Sequence, residues 1–212
     1  MYRQLLRPAA LAAVDTLFRE IPQNHWGVPD DDLNVLAGLF VTSRARSVLQ
    51  FGTAYGLSAV VLADLAAQAG EGARLVTVDP SADMNAAARR YCDMAGIGGI
   101  TTIVDGFSTD KALLGELDRQ DWDFIFLDTT HQYEDTRAEI EAIAPLCSPR
   151  TVWCFHDASK HAADTLDQRK QGGVARAIRE YVWLNPRWRS FTFEGPAFGQ
   201  FGIAVMQKRP VE

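Results

Sequence analysis

Five short apolar stretches recur between residues 47 and 157, each ending in a glycine loop or an acid, with helix-forming segments between them. They are Ser47–Phe51 (SVLQF), Arg74–Val78, Ile100–Val104, Trp122–Leu127 (WDFIFL) and Thr151–Phe155 (TVWCF). The segments Leu57–Ala69, Ala82–Ala95, Asp110–Arg119 and Tyr133–Leu146 read as the intervening helices, the first two stopped by Gly70 and Gly96. Strands that are apolar on both faces must be covered on both faces. A helix between consecutive strands makes the crossover that parallel pairing needs.

The expected architecture is therefore α/β: a Rossmann-like, doubly wound, mostly parallel seven-stranded sheet with helices on both faces. The last two strands, near 188–194 and 200–207, are joined by a turn around Gly195-Pro196 and read as an antiparallel C-terminal hairpin. Two helices precede the alternation, near 2–20 and 30–44, and another lies near 173–184. Residues 158–171 are polar with no clear period and read as a flap over an acceptor, or as a solvated loop. A chain of 212 residues suits one domain, with N-terminal helices over 1–45 and a ligand-binding core over 46–212.

Composition narrows the function classes. The formal net charge is −6 and the basic residues are scattered, which argues against a nucleic-acid partner. The apolar N-terminal segment is short and broken by arginine, so no membrane partner is expected. Cys92, Cys147 and Cys154 lack the spacing of a disulfide framework or zinc site and read as buried thiols, which suits a cytoplasmic location. A small-molecule acceptor is the expected partner, and a homodimer is left open.

Ligands of such sheets bind outside the carboxyl ends of the strands. Four of those ends carry an acid: Asp79, Asp105, Asp128 and Asp157. The first instead enters the loop Gly52-Thr53-Ala54-Tyr55-Gly56. That loop lets a ligand approach the backbone, and the following helix offers free N–H groups to an anion. It lacks the Gly-x-Gly-x-x-Gly of a dinucleotide cradle, so an amino-acid carboxylate suits it better, with Ser58 as a further donor. A plain β–α turn would also place these glycines. Asp79 can accept both hydroxyls of a ribose, or cap the next helix. The turn Asp105-Gly106-Phe107-Ser108 offers a polar group and an aromatic face to a nucleobase, or is ordinary turn chemistry. Together these features point to an adenosine-bearing cofactor with a carboxylate at one end.

The run from Val48 to Ala59 resembles the first motif of class I S-adenosylmethionine-dependent methyltransferases. The likeness is nearest to the catechol, caffeoyl-coenzyme A and macrolide-sugar O-methyltransferase branch. It extends through Thr77-Val78-Asp79-Pro80, Asp105–Ser108, Phe126-Leu127-Asp128 with His131, and Phe155-His156-Asp157. The resemblance implies methyl transfer from S-adenosylmethionine to a hydroxyl of a phenol, sugar or natural-product intermediate, with S-adenosylhomocysteine as product. It implies that Gly52, Tyr55 and Ser58 hold the methionine end, Asp79 the ribose, and Gly106, Phe107 and Ser108 the adenine, with Gly56, Pro80 and Gln50 also counted among the cofactor-binding residues. Val28 would cover the cofactor, with Trp26 either part of a lid or an ordinary packed residue. Gln50 stands where most relatives carry an acid for the cofactor's ammonium, and its carbonyl is a weaker acceptor.

Asp128, His131, His156 and Asp157 should meet at the ends of neighbouring strands. His131, three residues past Asp128, matches the relatives' base position, and Asp128 accompanies it at both the catalytic and the cofactor site. A loop histidine capping the next helix would occupy the same place. Asp128, His156 and Asp157 are the candidate ligands of a divalent cation, magnesium or manganese, with imidazole favouring manganese, iron or zinc. His156 and Asp157 could equally do no more than shape the strand end. The alternative function is a cofactor-binding fold with lost transfer or a non-methyl reaction such as cyclisation or isomerisation. A nicotinamide-dependent oxidoreductase is disfavoured by the missing glycine fingerprint and the terminal hairpin.

Overall fold

The computed structural model describes residues 1–21, 27–194 and 201–210. Pro22–Trp26, with the expected Trp26 lid, and the turn around Gly195-Pro196 lie outside the described residues. The chain divides into two compact units, Met1–Phe107 and Ser108–Glu212.

The first unit opens with a single 3-10 turn at Tyr2–Gln4 and then helix α1, Pro8–Glu20. One continuous helix over 2–20 was expected. Proline lacks the N–H and clashes with the preceding turn inside a helix, yet fits its first position, so the helix restarts there. Helix α2 spans Asp30–Ser43, with Asp30, Asp31 and Asp32 in its first turn, where the helix dipole favours negative charge. Strand β1 (Ser47–Phe51), α3 (Leu57–Ala69), β2 (Arg74–Asp79), α4 (Ala82–Met94) and β3 (Thr101–Asp105) follow. The strands pair in parallel, with Phe51 beside Val78 and Asp79 beside Asp105, so the carboxyl ends are level. Helix α3 is buried without interruption from Leu57 to Ala66 because strands and helices surround it: β1, β2, α1, α2 and α4 all pack on it. Strand β3 starts one residue later than expected because Gly98–Ile100 form a 3-10 turn.

The second unit holds α5 (Lys111–Leu117), β4 (Phe124–Leu127), α6 (Tyr133–Ile143) and β5 (Val152–Phe155). Then come α7 (Lys160–Leu166), α8 (Gly173–Leu184), β6 (Trp188–Phe193) and β7 (Ile203–Lys208). Strand β4 begins at Phe124 rather than Trp122, whose indole N–H instead donates to the Leu117 carbonyl. Parallel pairing sets Leu127 beside Phe155, and β5–β7–β6 are antiparallel. The strand order is β3-β2-β1-β4-β5-β7-β6, the mostly parallel seven-stranded sheet with antiparallel closing hairpin that the sequence pattern implies. Trp153, fully buried on β5, packs against Phe155 and Trp188 with ring centroids 4.6 and 5.9 Å away.

The segment 158–171 is more ordered than its composition indicates. It contains α7, capped by the Ser159 hydroxyl, and it ends in a turn built on the buried Asp167. The Asp167 carboxylate accepts from the backbone N–H groups of Arg169, Gln171 and Gly173. The N–H of Ser159 donates to the Phe201 carbonyl, and His161 stacks on the Phe201 ring at 5.6 Å. No helix among the described residues is long and apolar enough to cross a membrane.

Candidate functional site

In the first unit, the polar side chains at the carboxyl ends of β1 and β2 organise the glycine loop. Gly52 and Gly56 both have positive φ, 88° and 91°, a conformation that favours glycine. Gly56 has a second constraint: a Cβ there would lie 2.8 Å from the Ala88 Cβ on α4. The missing side chain therefore makes room for helix packing. Asp79, 9% exposed, accepts from the Thr53 and Ala54 N–H groups through Oδ2 at 2.9 and 3.0 Å and from Ser81 N–H through Oδ1 at 2.8 Å. A carboxylate has about four acceptor positions, so lone pairs remain for a ligand.

Gln50 is fully buried. Its amide Nε2 donates to the Gly52 carbonyl at 2.7 Å and to the Ser58 hydroxyl at 3.0 Å, and its Oε1 has no hydrogen-bond partner. Ser58 accepts that bond and keeps its own proton to donate. Val28 is buried, Tyr55 is half-buried and Pro80 is exposed. At the end of β3, Gly106 donates its N–H to the Asp79 carbonyl, and Phe107 is 67% exposed, an uncovered aromatic face. Sequence reasoning missed one residue here. Asn85 on α4 is fully buried and donates to the Asp79 carbonyl and to Asp105 Oδ1. Thr53 and Thr77 share a hydroxyl hydrogen bond of 2.6 Å. Asn85 lies in no motif, whereas Thr53 and Thr77 fall inside the motifs already named; the level strands bring the two threonines together, and the packing of α4 on β2 and β3 brings Asn85 to them.

In the second unit, Asp128, His131, His156 and Asp157 come together as expected. The level ends of β4 and β5 place Asp128 beside His156. His131 and Asp157 both take left-handed backbone, φ 60° and 56°, which is costly for residues with a Cβ and turns the chain sharply after each strand. His131 Nδ1 lies 2.5 Å from Asp157 Oδ2. His156 Nδ1 lies 3.1 Å from both Asp128 Oδ1 and Asp157 Oδ2. His131 does not cap α6, whose N-cap residue is Gln132.

The electrostatics follow from this packing. Burial pulls His131 down, but the hydrogen bond and charge of Asp157, with Asp128 beyond, hold its pKa above the usual 6.5. Burial also opposes charge on His156, and the charges of Asp128 and Asp157 outweigh it, raising this imidazole well above 6.5. Asp157 is buried, yet the His156 charge and the His131 hydrogen bond depress its carboxyl far below the ordinary range.

Three ligand atoms, from Asp128, His131 and Asp157, lie within 4.8 Å of one another. The sequence reading named His156 as the third ligand, whereas this grouping contains His131. The donor set mixes two carboxylates with imidazole, which fits manganese, iron or zinc better than magnesium.

Ser108 was expected to line a nucleobase. In the structure its hydroxyl donates to Glu139 Oε1 at 2.5 Å, and Thr129 donates to Oε2 of the same carboxylate at 2.8 Å. Burial pushes the Glu139 carboxyl up, and the two hydroxyl bonds pull it partly back. Sequence reasoning missed Glu139, which shares the buried face of α6 with Tyr133, Thr136, Ile140 and Ile143.

The fold and the polar groups at its strand ends define a Rossmann-like α/β protein with a histidine–carboxylate centre. The profile of the methyltransferase-domain family matches residues 49–158, just over half of the chain, and the chain belongs to that family. It is 33% identical to a rhamnosyl O-methyltransferase of Mycobacterium tuberculosis over 118 residues, 53% of this chain and 45% of the relative. The match thus spans under half the length of that curated relative. Among solved structures, an O-methyltransferase from Bacillus cereus in complex with SAH superposes with a TM-score of 0.77 at 21% identity, covering 96% of this chain and 92% of the other. An O-methyltransferase from Streptomyces achromogenes involved in tomaymycin synthesis, in complex with SAM, gives a TM-score of 0.72 at 22% identity, covering 97% and 92%. These two likenesses show the shared fold.

Proposed function

We propose that the chain transfers a methyl group from S-adenosylmethionine to a hydroxyl oxygen of a small molecule, releasing S-adenosylhomocysteine. The observation that carries the reading is the His131–Asp157 pair. A histidine whose Nδ1 is held by a carboxylate keeps Nε2 for a proton, the arrangement of an oriented general base. The acceptor oxygen forms a bond to the sulfonium methyl, the sulfur–methyl bond breaks with its electrons going to sulfur, and the hydroxyl proton passes to His131 Nε2.

In this reading Gly52, Tyr55, Gly56 and Ser58 hold the methionine end, and the unpartnered Gln50 Oε1 is the buried acceptor for its ammonium. Asp79 takes the ribose through its remaining lone pairs, beside Pro80. Gly106, Phe107 and Ser108 line the base, Val28 covers the cofactor, and Asp128 is counted with both the cofactor and the reacting groups. A sugar or natural-product hydroxyl is the acceptor class supported by the names of the rhamnosyl and tomaymycin relatives. A methyl-release assay with labelled cofactor and a panel of phenols and sugars tests the reading. Cofactor binding without transfer to any acceptor would favour the alternative of a binding fold with lost or non-methyl activity, which the neutral Gln50 supports.

A metal-assisted version is favoured by the Asp128, His131 and Asp157 grouping. An ion held there would lower the acceptor hydroxyl's pKa. The buried free thiols Cys92, Cys147 and Cys154 support a cytoplasmic setting. Exposed Trp183, Leu184 and Phe191 in the second unit support self-association, which sedimentation tests.

A further inference from the structure

Glu139 is a buried acid for which the reaction above has no use. It is 3% exposed, on α6, and its two carboxylate oxygens are each engaged by a hydroxyl: Ser108, in the turn after β3, and Thr129, next to Asp128. Burying a carboxylate is costly unless donors compensate it, so both hydroxyl protons are held in place.

This fixes what Ser108 can offer a ligand. A free serine hydroxyl rotates and can donate or accept. The single proton of Ser108 is committed to Glu139, and the side chain remains partly open to solvent. Toward a ligand its oxygen therefore presents lone pairs alone. Facing position 6 of a purine, such a group accepts from an exocyclic amino N–H and leaves a carbonyl oxygen unpaired. On the reading that Gly106–Ser108 line the cofactor's base, with the Ser108 oxygen set against position 6, we propose that Glu139 is a specificity-determining positioning residue: by holding the Ser108 proton, it makes the base subsite select a nucleobase with an exocyclic amino group over its oxo counterpart.

The test is calorimetric binding of S-adenosylhomocysteine and its deaminated 6-oxo counterpart, S-inosylhomocysteine, to the full chain. The wild type should prefer the amino compound at least tenfold, since a site built around one hydrogen bond rejects the analogue that cannot make it. Glu139→Met keeps the volume but frees the Ser108 proton, and the preference should fall toward unity. Ser108→Ala should do the same without disturbing the acid's bond to Thr129. Glu139→Gln, which retains an acceptor, should restore part of the preference. A merely structural role for Glu139 would weaken both ligands equally and leave their ratio unchanged, and that result overturns the proposal. Equal binding of the two ligands by the wild type also overturns it. Should Glu139→Met fail to fold, an unchanged ratio in Ser108→Ala decides against it. If the wild type binds neither compound, the cofactor reading itself fails, a result distinct from equal binding.

Discussion

Replacing His131 by alanine removes an imidazole that is clamped by a carboxylate and partly open, its side chain 22% exposed. Two losses follow, on separate scales. The first is kinetic. General-base assistance contributes about 10²–10⁴ in rate, which corresponds to roughly 3–5 kcal/mol of barrier. The value of kcat should fall by that factor, while cofactor affinity should hardly change, because the anchors proposed for the cofactor lie elsewhere. The second is structural. Asp157, 3% exposed, loses its 2.5 Å partner and keeps the longer contact to His156. A hydrogen bond to a charged group contributes about 1.5–3 kcal/mol. In a domain of this size 1 kcal/mol moves Tm by about 2–4 °C, so Tm should drop by about 3–12 °C and the protein should remain folded at 25 °C. The pH profile supplies the sign. Asp157 holds the His131 pKa above 6.5, so the free base, and with it kcat, should rise with pH through a limb lying above 6.5 in the wild type. That limb should vanish in the variant. The assay is methyl release at saturating cofactor across pH 5.5–9, with and without EDTA, since a metal-bound acceptor titrates similarly. A variant that keeps wild-type kcat throughout would refute the base assignment and leave His131 as a turn residue held by Asp157.

Further measurements check other parts of the site. Asp79→Ala should weaken S-adenosylmethionine binding at least tenfold by calorimetry, and more than Asp79→Asn, because alanine also releases the Thr53, Ala54 and Ser81 N–H groups. Unchanged binding in both would remove Asp79 from the ribose site. Gln50→Glu sets a carboxylate against the Gly52 carbonyl that the amide now donates to. The ligand-free Tm should fall, while the Tm rise on adding S-adenosylmethionine should exceed that of the wild type; a smaller rise would mean that Gln50 serves a different ligand. His156 is buried with its pKa well above 6.5, so its contribution to stability is full below 6.5 and is lost as pH climbs through the folded value. Urea midpoints should therefore decline on the alkaline side, and the decline should shrink in His156→Gln. If Asp128, His131 and Asp157 hold an ion, EDTA should abolish activity and manganese should restore it better than magnesium, with bound metal measurable by elemental analysis; full activity in EDTA with no bound metal counts against the metal.

The residue pattern alone determined the alternation of strands and helices, the acids at the strand ends and the closing hairpin. Each of these is set by local periodicity and by turn chemistry repeated along the chain. The end of α3 follows from sequence because Gly70 marks it. Asp128, His131, His156 and Asp157 were legible as a group because each stands at the end of a strand or just past it. The tertiary structure decided their pairing: His131 with Asp157, and His156 between two carboxylates, an outcome of parallel register and two left-handed residues that no spacing rule encodes. It also decided what Gly56 is for, because the neighbour that excludes a side chain there is Ala88, 32 residues away in sequence. Glu139 and Asp167 stayed hidden for a related reason. An acid on a helix or in a polar loop reads as solvated: only the packed chain brings Ser108 to Glu139, while Asp167 gathers three N–H groups from its own turn and is buried by the packing around it. Periodicity reports which face of an element is apolar. Which polar group meets which depends on contacts between residues far apart in sequence, and these exist only once the strands have paired.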